Sequence, residues 1–204
     1  MAYNTFTLDA LRRQFKLVIR ERRDLFAGVS PVAISSLLRQ NLDEGAPLAI
    51  AMSTEKARSE LIVAPILMEV RRQCGGRVAL FSGMEFSVDP ARGLTGFCDF
   101  LLAASPTQID IEAPVLAVVE AKNDNIRSGI PQCIAEMYAA ALFNERAELP
   151  ARTVYGAVTT GSNWTFLRLR GVEVEVDLDE RYLHEVDRVV GVLVAMVTGE
   201  LDAR

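Results

Sequence analysis

The stretch PVLAVVEAKNDN, residues 114–125, runs through five consecutive apolar side chains, Val115 to Val119, and then carries two opposite charges, Glu120 and Lys122. A short valine-rich run bounded by turn-forming residues reads as a strand buried on both faces. Side chains alternate along a strand, so Glu120 and Lys122 share one face and Ala121 takes the other. The two charges therefore leave the core side by side. Two further strand-like runs precede this one, at 77–89 and 94–105, joined by the turn material PARG (90–93) and PTQIDIEA (106–113). Connections this short favour an antiparallel meander.

Asp99 is the second anomaly. It interrupts GFCDFLLAA, where Phe97, Cys98, Phe100, Leu101 and Leu102 are all apolar. An ionised carboxylate is costly to bury unless it is paired or bound to a metal. Two carboxylates on adjacent strands, 21 residues apart in sequence, can converge. Such a pair with water suits Mg²⁺, which takes hard oxygen ligands and keeps several waters. A lysine beside them can orient the attacking water or help to deprotonate it, while the metal stabilises charge developing on a phosphate.

The rest of the chain predicts an α/β fold, a sheet with helices on both faces. Residues 8–43 read as helical, with a break at GVSPVA (28–33), where Pro31 suits a second helix start. The first of these helices carries Arg12, Arg13, Lys16, Arg20, Arg22 and Arg23. Ser53 or Thr54 can cap the helix over 55–73, which Pro65 should kink and which is apolar all round at 61–68. A helix over 129–148 has Pro131 near its first turn; strands over 153–161 and 164–177 flank the hairpin signal GSN (161–163). Asp177 or Asp179 can cap a last helix over 180–201.

Asp99, a strand ending in Glu120-Ala121-Lys122, and a following helix with Gln132 together resemble the PD-(D/E)XK nuclease superfamily. In that superfamily the Asp and Glu hold the metal and the Lys assists the water nucleophile. Gly96-Phe97-Cys98-Asp99 stands where the nominal motif has Pro-Asp. GIPQCIAEMYAA is similar to the Gln-x-x-x-Tyr segment of several branches, although Gln132 and Tyr138 are six apart. STEKARSELIVAPILMEV (53–70) resembles the opening helix of the nuclease domain of type I restriction enzymes and of a group of uncharacterised bacterial proteins of similar size. The resemblance covers about residues 53–177 and implies a restriction endonuclease-like core: a central mixed sheet flanked by helices in α-β-β-β-α-β order. One domain spans 1–204, with an N-terminal helical extension (about 1–50) and a C-terminal helix (about 179–202) outside that core. It further implies a Mg²⁺-dependent nuclease, with Mn²⁺ able to substitute, acting on DNA. Asp99 and Glu120 are the metal ligands, Lys122 positions the water, and Gln132 and one of Glu55 or Glu60 support them.

Each candidate has a plainer alternative. Glu120 and Lys122 can form a strand-end ion pair of small energetic value, and Asp99 can accept hydrogen bonds from turn amides. Glu55 and Glu60 both suit the N-terminal end of a helix dipole; Glu60 is favoured slightly by its distance to the helix end. Gln132 is either a contact of the site or a solvated residue of the first turn. Glu136 reads as a helix-surface acid, Tyr138 as packing, and the basic first helix as either a solvated face or a phosphate-binding one.

With 204 residues, 50% hydrophobic and 24% charged, the chain is of ordinary globular composition. A formal charge of −5 argues against non-specific coating of nucleic acid but leaves room for a local basic patch. Three widely spaced cysteines, Cys74, Cys98 and Cys133, form no zinc-binding pattern and read as buried apolar residues in a reducing compartment. The single histidine, His184, excludes a two-imidazole metal site, and no phosphate-binding glycine loop is present. Residues 1–14 lack the apolar segment of a signal peptide, and the apolar band 189–197 is too short to span a bilayer. These features predict a cytoplasmic protein with no membrane partner. The band at 189–197 packs on the sheet or makes a homodimer contact. The alternative function is an inactive nuclease-fold module that binds nucleic acid or a protein partner in a defence or mobile-element system.

Overall fold

The computed structural model describes residues 2–105, 107–150 and 152–201. Its centre is a mixed eight-stranded sheet made of β1 (Val18–Arg22), β2 (Ala79–Glu85), β3 (Phe97–Ala103), β4 (Val115–Ala121), β5 (Val154–Thr159), β6 (Asn163–Arg170), β7 (Glu173–Asp177) and β8 (Arg181–Tyr182). The strand order is β1-β7-β6-β5-β4-β3-β2, and β8 pairs with the start of β6. The meander expected of β2, β3 and β4 is present, both pairs being antiparallel. β5 lies parallel to β4, which the intervening 21-residue helix makes possible.

Helices cover both faces. α1 (Leu8–Phe15) and α5 (Ile126–Arg146) lie on one side, where Leu11, Phe15, Ile134 and Met137 pack against Leu101, Val118 and Val158. On the other side lie α2 (Ser36–Met52), α3 (Glu55–Arg58), α4 (Ala64–Gln73) and α6 (Val186–Thr198). There Leu38, Ile62, Leu67, Val190 and Leu193 meet Phe100, Val119 and Phe166. Val118 and Val119 thus belong to opposite cores. That is why the run in β4 is continuously apolar rather than alternating. Val189–Val197 is buried against the sheet, and among the described residues no helix is long and apolar enough to cross a membrane.

Five expectations are corrected. The N-terminal region is not wholly helical: Lys16 ends α1 in the left-handed conformation, and residues 18–22 form β1, parallel to β7. The alternating arginines that suggest a basic helix face are instead cross-strand partners of glutamates. Arg20 lies 3.5 Å from Glu173, and Arg22 lies 3.0 Å from Glu175. The second helix begins at Ser36, past Pro31, and takes Pro47 into its interior. Pro131 sits five residues inside α5, which starts at Ile126 under an Asn125 cap. The last helix starts at Val186 without a side-chain cap, after a short 3₁₀ turn.

Thr54, not Ser53, caps α3 by accepting from the Ala57 N–H at 3.1 Å; Ser53 instead terminates α2 with a positive φ. The disturbance expected at Pro65 takes the form of a π turn over Ser59–Val63. Proline has no N–H to return to the Leu61 carbonyl, and the Ala64 N–H bonds back five residues to Ser59. The freed Leu61 carbonyl faces Gly45 of α2, where a Cβ would come within 2.9 Å of it.

Glu69 ties α4 to the start of α2. It is 2% exposed and accepts from the Ser35 N–H at 3.0 Å, from Ser35 Oγ at 2.6 Å and from Gln73 at 3.2 Å, while pairing with Arg72. Burial would raise its carboxyl, but the Ser35 hydrogen bonds outweigh it and hold it below the ordinary value. Glu69→Ala should cost about 2–4 kcal/mol at neutral pH in urea denaturation. A group whose folded pKa is lowered stabilises above its unfolded pKa of about 4.3 and loses that stabilisation as pH falls through the folded value. The gap between wild type and variant should therefore be full at pH 6 and narrow below about pH 4.

Candidate active site

The site forms where β3 begins and β4 ends. Phe100 stands opposite Val119 in the β3–β4 ladder, so Asp99 falls opposite Glu120. Asp99 Oδ2 accepts the Ala121 N–H at 2.8 Å. One residue past β4, the Lys122 N–H donates to the Thr159 carbonyl at 2.8 Å. The backbone of the Glu-x-Lys unit is thereby held from both neighbouring strands.

Side chains continue the network onto α5. Lys122 Nζ pairs with Glu120 Oε1 and donates to Gln132 Oε1 at 3.4 Å. Gln132 Nε2 donates to Glu136 Oε1 at 3.1 Å. Gly129 makes this approach possible. A Cβ there would stand 2.6 Å from Val158 Cγ1 and 3.1 Å from Lys122 Cγ, so the first turn of α5 rests directly on the lysine stem.

Electrostatically the cluster holds more acid than base. Glu120 is 1% and Glu136 0% exposed, and the Oε2 atom of each is buried with no hydrogen-bond partner. Burial first, and then the Asp99 carboxylate, push the Glu120 carboxyl up to about 8 against the pull of Lys122. Burial also raises Asp99, opposed by the Ala121 N–H and by Lys122. Glu136 is pushed well above the carboxylate range by burial and then by Glu120. Burial would depress the Lys122 ammonium, but the Glu120 carboxylate outweighs it and raises the group. Three neighbouring carboxyls with one ammonium favour either bound protons or an added cation.

Asp99, Glu120, Lys122 and Gln132 are thus brought together, and the two helix acids are separated. Glu55 acts electrostatically on both Glu120 and Lys122, whereas Glu60, favoured on sequence, is exposed and lies 3.6 Å from Lys56. Arg58 anchors α3 to this end of the sheet through the Thr160 carbonyl at 3.0 Å and Ser162 Oγ at 3.2 Å. Glu136 is not a surface acid but the most deeply buried member of the group. Its signal is present in the sequence: a carboxylate four residues after Gln132, inside the apolar CIAEMYAAALF, is as anomalous as Asp99. Tyr138 packs against Phe15 with ring centres 4.6 Å apart. The three cysteines are free and buried, and His184 stacks on Tyr182.

Among the described residues no group of three or more His, Cys, Asp or Glu side chains is placed to enclose a metal ion. Asp99 and Glu120 instead offer a two-carboxylate arrangement, the kind that Mg²⁺ completes with water. No protein-family model matches the chain.

Gly129→Ala should force Lys122 or Val158 aside. Its expected signature is a loss of about 1–3 kcal/mol in urea denaturation, with the Lys122–Gln132 contact broken in a crystal structure of the variant. Unchanged stability together with an unmoved lysine would show that the contact has slack.

Proposed function

We propose that this protein is a divalent-metal-dependent nuclease of the PD-(D/E)XK type, cutting phosphodiester bonds of DNA. One observation carries the reading: Asp99, Glu120 and Lys122 converge at the ends of adjacent buried strands with one acidic oxygen of Glu120 unsatisfied. A strand-end ion pair accounts for Glu120 and Lys122 but not for the second and third carboxyls beside them. A β2–β3–β4 meander followed by α5 and a parallel β5 lends support to the same reading.

Asp99 and Glu120 would hold the cation, Mg²⁺ or Mn²⁺, which when bound neutralises charge on the phosphate under attack. Lys122, kept as an ammonium by Glu120, serves as a hydrogen-bond donor that orients a water or a phosphate oxygen. Gln132 accepts from Lys122 and limits where it points. Glu55 adds negative potential at the solvent side of the pair.

The purified chain is expected to degrade single- or double-stranded DNA only with Mg²⁺ or Mn²⁺, and Lys122→Ala to lose at least about 100-fold in rate with its melting transition retained. Asp99→Asn is expected to weaken Mn²⁺ binding measured by calorimetry. No metal-dependent cleavage by the wild type, or equal cleavage by Lys122→Ala, would overturn the proposal. DNA binding without turnover under either metal would point to an inactive binding module.

A further inference from the structure

The basic residues of α1 belong to none of the interactions above, and one of them, Arg12, lines a groove. This groove, about 520 Å³ in volume, lies between α1, β1 and the first turn of α5, within the range typical of small-ligand sites. Its walls include Leu8, Ile19 and Ile130, its rim carries Arg12 and Arg127, and Glu21 is its one acid. Many arginines elsewhere are paired, Arg13 with Asp9 at 2.5 Å and Arg168 with Glu175 at 2.5 Å among them. Arg12 and Arg127 are exposed and have no ion-pair partner among the described residues.

Position gives this groove its meaning. Arg127 follows Lys122 by five residues and stands in the first turn of α5, the turn whose Gly129 rests on the lysine stem. At 3.6 residues per turn, Gly129, Gln132 and Glu136 share one stripe of α5, while Ile130 lies about 100° and Arg127 about 160° round the helix from Gly129; both line the groove with Ile19 and Glu21 of β1 and Val176 of β7. The acidic cluster and the basic groove therefore border the same helix end from two sides. A phosphate chain passing from one to the other crosses the α5 N-terminus, where the helix dipole favours negative charge.

We infer that the groove holds unpaired nucleotides of the DNA strand that reaches the Asp99–Glu120–Lys122 site. This rests on the nuclease reading above and adds a substrate class to it. Two unpaired guanidiniums complement phosphates, and the aliphatic walls take bases by contact without reading their edges. A cavity of this volume admits roughly one or two nucleotides by the same small-ligand range, and in a duplex the base faces are stacked on one another and are not free to meet its aliphatic walls. The groove thus selects single strands, or the unpaired ends and flaps of duplexes.

The test is binding rather than cleavage, in the Lys122→Ala protein so that the probe survives. Fluorescence anisotropy with a labelled oligo-dT and a blunt duplex would be compared for that protein and for versions also carrying Arg12→Glu with Arg127→Glu, Glu21→Gln, or the control Arg39→Glu on α2 across the sheet. The double reversal should weaken oligo-dT binding by at least about tenfold and flatten its log–log salt slope by about 1.4, two contacts at roughly 0.7 each. Glu21→Gln should tighten it, and Arg39→Glu should leave the slope unchanged. The milder pair Arg12→Gln with Arg127→Gln should show the same trend with the wild-type melting transition, which separates lost contacts from lost fold. Equal effects of the groove and control variants would overturn the groove while leaving the nuclease reading intact, as would a preference for the blunt duplex. No binding of either DNA by the Lys122→Ala parent, together with no cleavage by the wild type, would overturn both.

Discussion

A carboxylate at the end of a strand buried on both faces sets the conditions for everything around it. Glu120 is 1% exposed, and water cannot solvate its charge. One ammonium, Lys122, compensates it, but Asp99 opposite and Glu136 on α5 bring two more acids into range. The carboxyls have no freedom to move apart. The ladder from β2 to β5 fixes Asp99 and Glu120. α5 is held close to the sheet by glycines: at Gly156 a Cβ would stand 2.5 Å from Met137 Sδ and 2.8 Å from Cys133 Sγ. Packing elsewhere in the core thus sustains a repulsive cluster that would otherwise relax, a pattern found where a fold holds chemistry in place.

The strands that build this end were readable from residue pattern because burial on both faces leaves no ambiguity of period. Val115–Val119 cannot be an amphipathic helix face, and a charged pair immediately after such a run stands out. β1 was not readable in the same way. Only Val18 and Ile19 mark it as strand-like, and both are at least partly exposed at the sheet edge. Its arginines make sense only beside the glutamates of β7, 153 residues away in sequence. The choice between Glu55 and Glu60 was left open by the sequence for a related reason. Helical periodicity specifies which residues share a face but not which face looks toward the sheet end, and the π turn at 59–63 changes the phase between them. Glu136 was legible in principle, but one turn past Gln132 on a helix it read as a surface acid.

The N-terminal region changes status once β1 is recognised. It does not stand outside the sheet but completes its edge, and it closes the α5 face. Tyr3 is buried, its hydroxyl donates to the Phe86 carbonyl at 2.6 Å, and its ring lies close to Gly96, 3.1 Å from where a Cβ would stand. Phe6 and Phe15 pack on each other, and Phe15 on Tyr138 of α5. The segment expected as an appendage therefore packs over α5, with the Tyr3 hydroxyl within electrostatic range of Glu136.

The direction of the Gln132 amide follows from its two neighbours. Lys122 can only donate, so the Gln132 carbonyl oxygen must face it, which leaves the amide nitrogen for the Glu136 oxygen. Glu136 thereby specifies how Gln132 meets the lysine, although it touches nothing that enters from solvent. An ammonium has three donors, and Lys122 has two side-chain acceptors, Glu120 and Gln132, among the described residues. The third N–H is left over, on a side chain still 19% exposed. With the first two held by buried Glu120 and half-buried Gln132, the direction of the third is constrained toward the open end of the site. The same Glu120 contact that orients the ammonium also keeps it charged, so the group stays a donor rather than becoming a proton acceptor.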